Sequence, residues 1–226
     1  MSQSWKLSPS DLTFLWDECP RCFYLKVVRN FRRPSFPFPK IFTRIDRLMK
    51  AHYENKPTSE ISPDLPPGFV KFADKWVISQ PISLPNHPST GFIRGKFDSV
   101  IEFLDGSFAV IDFKTTQPKP EHVPFYSRQL QAYAYALEHP APRGFKLSPI
   151  SILGLVCVEP LRIGTFGEDQ IAYIGATSWL ECPHDEVEFL AFIDEVMAVL
   201  EQKMPPPAGP NCEYCKYRDK ARMSGL

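Results

Sequence analysis

The stretch GKFDSVIEFLDGSFAVIDFKTT, residues 95–116, holds two aspartates and a lysine near the open end of what reads as a β-hairpin. Leu104-Asp105-Gly106 suits a three-residue loop, two residues near the right-handed helical region and then glycine in the left-handed one. In that register Phe103 pairs with Ser107, and counting back sets Asp98 opposite Asp112. Opposed residues on antiparallel strands share a face, about 4.5–5.5 Å apart at Cα, and Lys114 joins them by the two-residue period. The same face continues inward as Val100, Phe108 and Val110; the other carries Phe97, Ile101, Phe103, Ile111 and Phe113. Two carboxylates this close repel unless a proton or cation intervenes, and hard oxygen donors suit Mg²⁺ or Mn²⁺. A two-residue Asp105-Gly106 turn would instead throw the aspartates onto opposite faces, leaving a surface turn with a Lys–Asp ion pair.

A second chemistry lies at the two ends. Cys19-Pro-Arg-Cys22 and Cys212-Glu-Tyr-Cys215 each bring two thiolates within reach of one metal, and together they make a four-sulfur set. Cys157 reads as core in an apolar strand, and Cys182 as an incidental thiol in a loop before a helix.

The elements that must position these groups follow from periodicity. Helices are expected from Ser8 to about Lys26, from Ile41 to Tyr53, from Pro124 to Leu137 and from His184 to Lys203, with a short helical turn at 67–75. Strands are expected at 76–82, 92–103, 107–114, 149–158 and 170–179. The order implies an α/β sandwich around a mixed sheet. The length suits one domain over 1–226, with a catalytic core at about 41–180 and a metal staple drawn from 10–30 and 205–220. Proline clusters at 32–39, 62–68, 85–88 and 205–210 read as stiff connectors.

Lys+Arg and Asp+Glu balance at 26 each, so no global positive field advertises a nucleic-acid partner. No apolar run is long enough to span a bilayer, and MSQSWKLSPSD lacks the build of a signal peptide, so the expected compartment is the cytoplasm. There, cysteines serve as metal ligands or buried thiols more often than as disulfides.

Gly95-x-x-Asp98 followed by Val-Ile-Asp112-Phe-Lys114-Thr resembles the GxxD…(D/E)xK core of RecB-like PD-(D/E)XK nucleases, which include exonucleases associated with CRISPR adaptation. RQLQAYAYALE supplies Gln129 and Tyr133 where that family carries Q-x-x-x-Y on the next helix. The resemblance implies a restriction-endonuclease-like mixed central sheet flanked by helices. It implies a metal-dependent deoxyribonuclease acting on single strands or DNA ends in repair, recombination or defence, beside a helicase or integrase. By the same resemblance Asp98, Asp112 and the Phe113 carbonyl hold one or two Mg²⁺ or Mn²⁺ ions, Lys114 works on the attacking water, and Gln129 and Tyr133 flank the site. The family takes a further ligand from an earlier helix. Asp46 is nominated for it, with His52 and Glu54 as alternatives.

CPRCFYL and CEYCKYRD resemble the iron–sulfur staple of CRISPR-associated and AddB-type nucleases. Those relatives place one cysteine early and three late; here the last position is Ala221, and Cys22 can supply the fourth thiolate. A 4Fe–4S cluster is expected on Cys19, Cys22, Cys212 and Cys215, with structural Zn²⁺ as the alternative. Two other readings stay open: a non-catalytic nucleic-acid-binding or complex-forming protein that keeps this fold, and a Cys₄ zinc protein with an unrelated core.

Overall fold

The computed structural model describes residues 3–35, 37 and 39–225. Strand β1 (Ser4–Leu7) leads into a π-helical turn (Asp11–Leu15), a single turn α1 (Trp16–Glu18), then α2 (Pro20–Arg29) and α3 (Lys40–Tyr53). Next come a 3₁₀ turn (Thr58–Glu60), β2 (Gly68–Ala73), β3 (Trp76–Ile78), β4 (Thr90–Lys96), β5 (Ser99–Phe103) and β6 (Phe108–Lys114). Helix α4 (His122–Glu138), the long strands β7 (Ile150–Thr165) and β8 (Ile171–Cys182), α5 (Glu186–Leu200) and α6 (Glu213–Met223) complete the chain.

A five-stranded mixed sheet runs β2-β5-β6-β7-β8, and a three-stranded one runs β1-β4-β3. Helix α4 is the crossover that lets β6 and β7 lie parallel, the connection a parallel pair requires. One face of the large sheet, through Val100, Val110, Leu153 and Leu155, buries against Leu130 and Leu137 of α4 and Ile193 and Met197 of α5. The other face, through Ile101, Ile111 and Phe113, buries against Met49 and Tyr53 of α3. The fold is therefore a mixed sheet flanked by helices.

Several expected elements change. The helix expected from Ser8 to Lys26 breaks at Cys19, whose backbone is extended (φ −164°, ψ 99°). Pro20 is the cause: it forbids the helical region to the residue before it and starts α2 at its own position. In the segment 67–75, Gly68–Ala73 is strand, not a helical turn, because β2 finds a ladder on β5. The single strand expected over 92–103 is two strands in two sheets, parted at Phe97 and Asp98. There the Phe97 N–H donates to the Lys75 carbonyl and the Asp74 N–H to that of Asp98. The kink turns Phe97 into the core beside Val100 and Val110, not onto the face of Ile101. Cys182 is not in a loop; it ends β8 and is buried, as is Cys157.

Candidate active site

The hairpin adopts the three-residue loop. Phe103 donates to the Ser107 carbonyl at 2.9 Å, Gly106 takes φ +85°, and the ladder pairs Ser99 with Ile111 and Val100 with Val110. One step further sets Asp98 beside Asp112, at the edge where β5 begins and β6 ends. Asp98 Oδ2 accepts the Phe113 N–H at 3.2 Å, which fixes its carboxylate against β6. Gly95 has no room for a side chain: a Cβ there would meet Pro9 at 2.8 Å and the Tyr133 ring at 2.9 Å. The glycine of GxxD thus lets α4 approach the strand that delivers Asp98.

Asp46, Asp98, Asp112, Phe113, Lys114, Gln129 and Tyr133 all line one cleft of about 590 Å³. His52 and Glu54 do not line it; the His52 ring packs on Tyr53 instead. Gln129 Nε2 donates to Asp112 Oδ1 at 3.4 Å, and the Tyr133 hydroxyl donates to the Lys96 carbonyl at 2.8 Å. Lys114 Nζ touches Asp112 Oδ2 and lies 4.6 Å over the Tyr126 ring. Phe113 contributes only backbone here, because its ring stacks on Tyr53 in the opposite core.

The charges in the cleft are tightly coupled. Burial pushes the Asp112 carboxyl up to about 7, Lys114 opposing that shift and Asp98 adding to it. Burial works against the Lys114 ammonium too, but the attraction of Asp112 outweighs it and raises the lysine. Asp46 is raised, chiefly by burial and against the pull of Lys50. Among the described residues, Asp112 Oδ2 receives no aligned hydrogen bond despite the nearby ammonium, and the buried Gln129 Oε1 has no donor. The buried Gln129 Oε1, without a donor, and Asp112 Oδ2, met only by the Lys114 ammonium, stand beside a second carboxylate as a hard-oxygen set that a divalent cation fits.

The profile of the PD-(D/E)XK nuclease superfamily matches residues 68–220. The chain belongs to that superfamily. The matched stretch contains Asp98, Asp112, Lys114, Gln129, Tyr133, Cys212 and Cys215, and leaves out Asp46, Cys19 and Cys22. A solved structure described as "Crystal structure of SSO0001" superposes with a TM-score of 0.47 at 15% identity, covering 95% of this chain and 84% of that one. No curated protein matches.

In this superfamily member a charged partner shared by two cleft carboxylates, Asp46 and Asp98, escaped the sequence reading. Lys50 of α3 bridges three carboxylates: Asp98 Oδ1 at 2.7 Å, Asp46 Oδ2 at 3.0 Å and Asp74 Oδ1 at 3.2 Å. Its side chain is 9% exposed, and the aspartates raise its basicity against the cost of burial. The signal was the i,i+4 spacing from Asp46, which puts both on one helical face. Asp74, which also pairs with Lys96 at 2.8 Å, carried no such signal.

The four cysteines from the two chain ends meet. Their sulfurs all lie within 4.8 Å of one another, and all four residues are buried. Cys19 comes from the extended residue before α2, Cys22 from its first turn, Cys212 from the cap of α6 and Cys215 from within α6. The Gly209 N–H donates to Cys19 Sγ at 3.2 Å and the Arg33 guanidinium to Cys212 Sγ at 3.1 Å. Burial alone would raise the Cys19 thiol, but the Gly209 and Cys22 backbone N–H groups outweigh it and bring it to about 7. Four sulfurs at one point, without a disulfide among them, form a site that can bind a metal.

Proposed function

We propose that the chain is a Mg²⁺- or Mn²⁺-dependent deoxyribonuclease that hydrolyses phosphodiester bonds as an exonuclease on single strands or DNA ends. The observation that carries the reading is the shared cleft of Asp98, Asp112 and Lys114, two close carboxylates with one ammonium, in a chain of the nuclease superfamily. Asp98, Asp112, Asp46 and the Phe113 carbonyl would hold the ion. Such an ion, when bound, acidifies a water and offsets charge on the scissile phosphate.

The chain's own groups do the rest. Lys114, held by Asp112 and shielded under Tyr126, presents an ammonium to the attacking water and to a phosphate oxygen. Gln129 fixes the Asp112 carboxylate from α4, and Tyr133 ties that helix to the end of β4. Lys50 neutralises Asp98 from α3, so the carboxylates stay together before any cation arrives. One domain over 1–226 and a cytoplasmic setting, as the sequence itself suggests, and work beside a helicase or integrase in repair, recombination or defence, carried over from the resemblance, complete the proposal.

The test is digestion of end-labelled single-stranded and duplex DNA with Mg²⁺ or Mn²⁺. Release of short products from one end, dependent on the added ion, is the expected result. Internal cutting alone would overturn the exonuclease part; no cleavage with either ion would overturn the whole reading.

A further inference from the structure

We infer that the four-cysteine site holds a single tetrahedral Zn²⁺ ion and not the 4Fe–4S cluster that the sequence resemblance implies. The spacing of the sulfurs decides it. Cys22 Sγ lies 3.7 Å from Cys212 Sγ and 3.6 Å from Cys215 Sγ, and Cys19 Sγ lies 3.8 Å from Cys215 Sγ. Thiolates sharing one zinc sit about 2.3 Å from it, which makes the edges of their tetrahedron roughly 3.8 Å. A cubane is different in kind. Each thiolate binds its own iron at a separate corner, so the sulfurs stand roughly 6 Å apart. Even the widest pair here lies within 4.8 Å, short of that separation. A cubane would have to push all four sulfurs outward, against residues that already hold them.

Those residues come from both ends of the chain. Gly209 donates its N–H to Cys19 Sγ, Arg33 donates to Cys212 Sγ and is itself paired with Glu18, and Arg218 approaches Cys215 Sγ at 3.6 Å. Two guanidinium groups and an amide suit four thiolates on one divalent ion, a centre that carries a net charge of about −2.

The ligand pattern is a second and independent observation. Position 221 is alanine, and α6 offers no cysteine beyond Cys215 and its cap Cys212; the fourth ligand is Cys22, one turn from Cys19. The result is two equal C-x-x-C half-sites, one from α2 and one from α6. Among single-ion occupants of such a site, zinc binds more tightly than ferrous iron, following the general order of divalent affinities. The ion closes a loop of 190 residues between Cys22 and Cys212, and it is redox-inert. The clamp therefore needs neither sulfide nor an electron partner. This inference stands apart from the nuclease reading and survives its failure.

The full chain, purified without oxygen from cells supplied with both iron and zinc, gives the test by metal analysis, acid-labile sulfide assay and absorption. One zinc per chain, no sulfide and no visible colour is the expected result. Iron with matching sulfide, iron alone, or a metal-free chain with four freely reactive thiols would each overturn the proposal. A check that needs no variant is exchange with Co²⁺. One equivalent should give the intense tetrahedral cobalt–thiolate bands, and a weak octahedral spectrum would contradict the site.

Discussion

The cleft and the four-cysteine site both gather like charges, by opposite means. In the cleft, Asp46, Asp74 and Asp98 are held by Lys50, and Asp112 is held by Lys114, so lysines of the same fold offset the repulsion. At the chain ends four sulfurs meet against Arg33, Arg218 and backbone N–H groups such as that of Gly209, and their pairs lie 190 or more residues apart except within each half-site. The first arrangement is preorganised: its geometry comes from the β5–β6 hairpin, one face of α3 and the turn after β2, and exists before any cation binds. The second is a long-range closure, whose worth depends on the metal that completes it. Removing metal should therefore silence the cleft without loosening it, and should loosen the ends without altering the cleft.

The largest effect should come from breaking the cleft. Lys114→Met is expected to lower cleavage by about 10³-fold, the scale of a lost positioned proton-transfer group. The circular dichroism spectrum should stay unchanged. Because the substitution leaves Asp112 buried without its partner, some stability should go too, and adding Asp112→Asn should restore it. A double variant no more stable than Lys114→Met would show that the pair is not the source of the strain.

At the other site, Cys19→Ser is expected to cost about 2–4 kcal/mol, the usual size for losing a cross-link that closes a long loop. Urea unfolding measures it, and cleavage assayed well below the lowered melting point should stay within a few-fold of the parent. Loss of cleavage in step with loss of the clamp would mean that the two sites are not separable.

A subtler probe of the same contrast is Lys50→Met. Leaving three carboxylates face to face should cost about 1–3 kcal/mol in the absence of divalent ions. Added Mn²⁺ should recover more melting temperature in this variant than in the parent, because a cation would then take the place of the ammonium. Equal Mn²⁺ shifts in both proteins would remove Lys50 from the electrostatics of the cleft.

The smallest effect lies outside both sites. His87 bonds Glu201 at 2.8 Å and Asp194 at 3.1 Å. Burial alone would lower the imidazole, but those carboxylates outweigh it and raise it above its ordinary 6.5. A raised histidine stabilises fully below its ordinary value and loses that contribution as pH rises through its folded value. His87→Gln should thus cost about 0.5 kcal/mol near pH 5.5 and less near pH 8.5. Equal urea midpoints for parent and variant at the lower pH would contradict this.

How far the sequence could be read depended on the range of the forces involved. The Asp98–Asp112 juxtaposition was legible because turn chemistry at Gly106 and the two-residue strand period fix register locally. Gln129, Tyr133 and Asp46 were named only through the family resemblance, since an i,i+4 pair or a lone aspartate on a helix reads by itself as ordinary surface and core. Lys50 was not named, because a lysine four residues after an aspartate is indistinguishable in sequence from an ordinary surface pair. The strand at Gly68–Ala73 was hidden because its partners are 26 to 35 residues away, and a sheet edge is made by its neighbour more than by its own residues. The break at Cys19 could have been found: Pro20 states it. The meeting of the two chain ends was readable only as ligand arithmetic, and that arithmetic says four sulfurs without saying how far apart they stand.

The central claim is that the hairpin carboxylates and Lys114 form a metal-dependent hydrolytic centre. Its most direct test is the digestion of end-labelled DNA by the parent chain and by Asp112→Asn side by side, with and without Mn²⁺. The account predicts cleavage by the parent only when Mn²⁺ is present, and none by Asp112→Asn under either condition. Equal cleavage by both proteins, or cleavage by the parent that ignores Mn²⁺ and its removal, would contradict it.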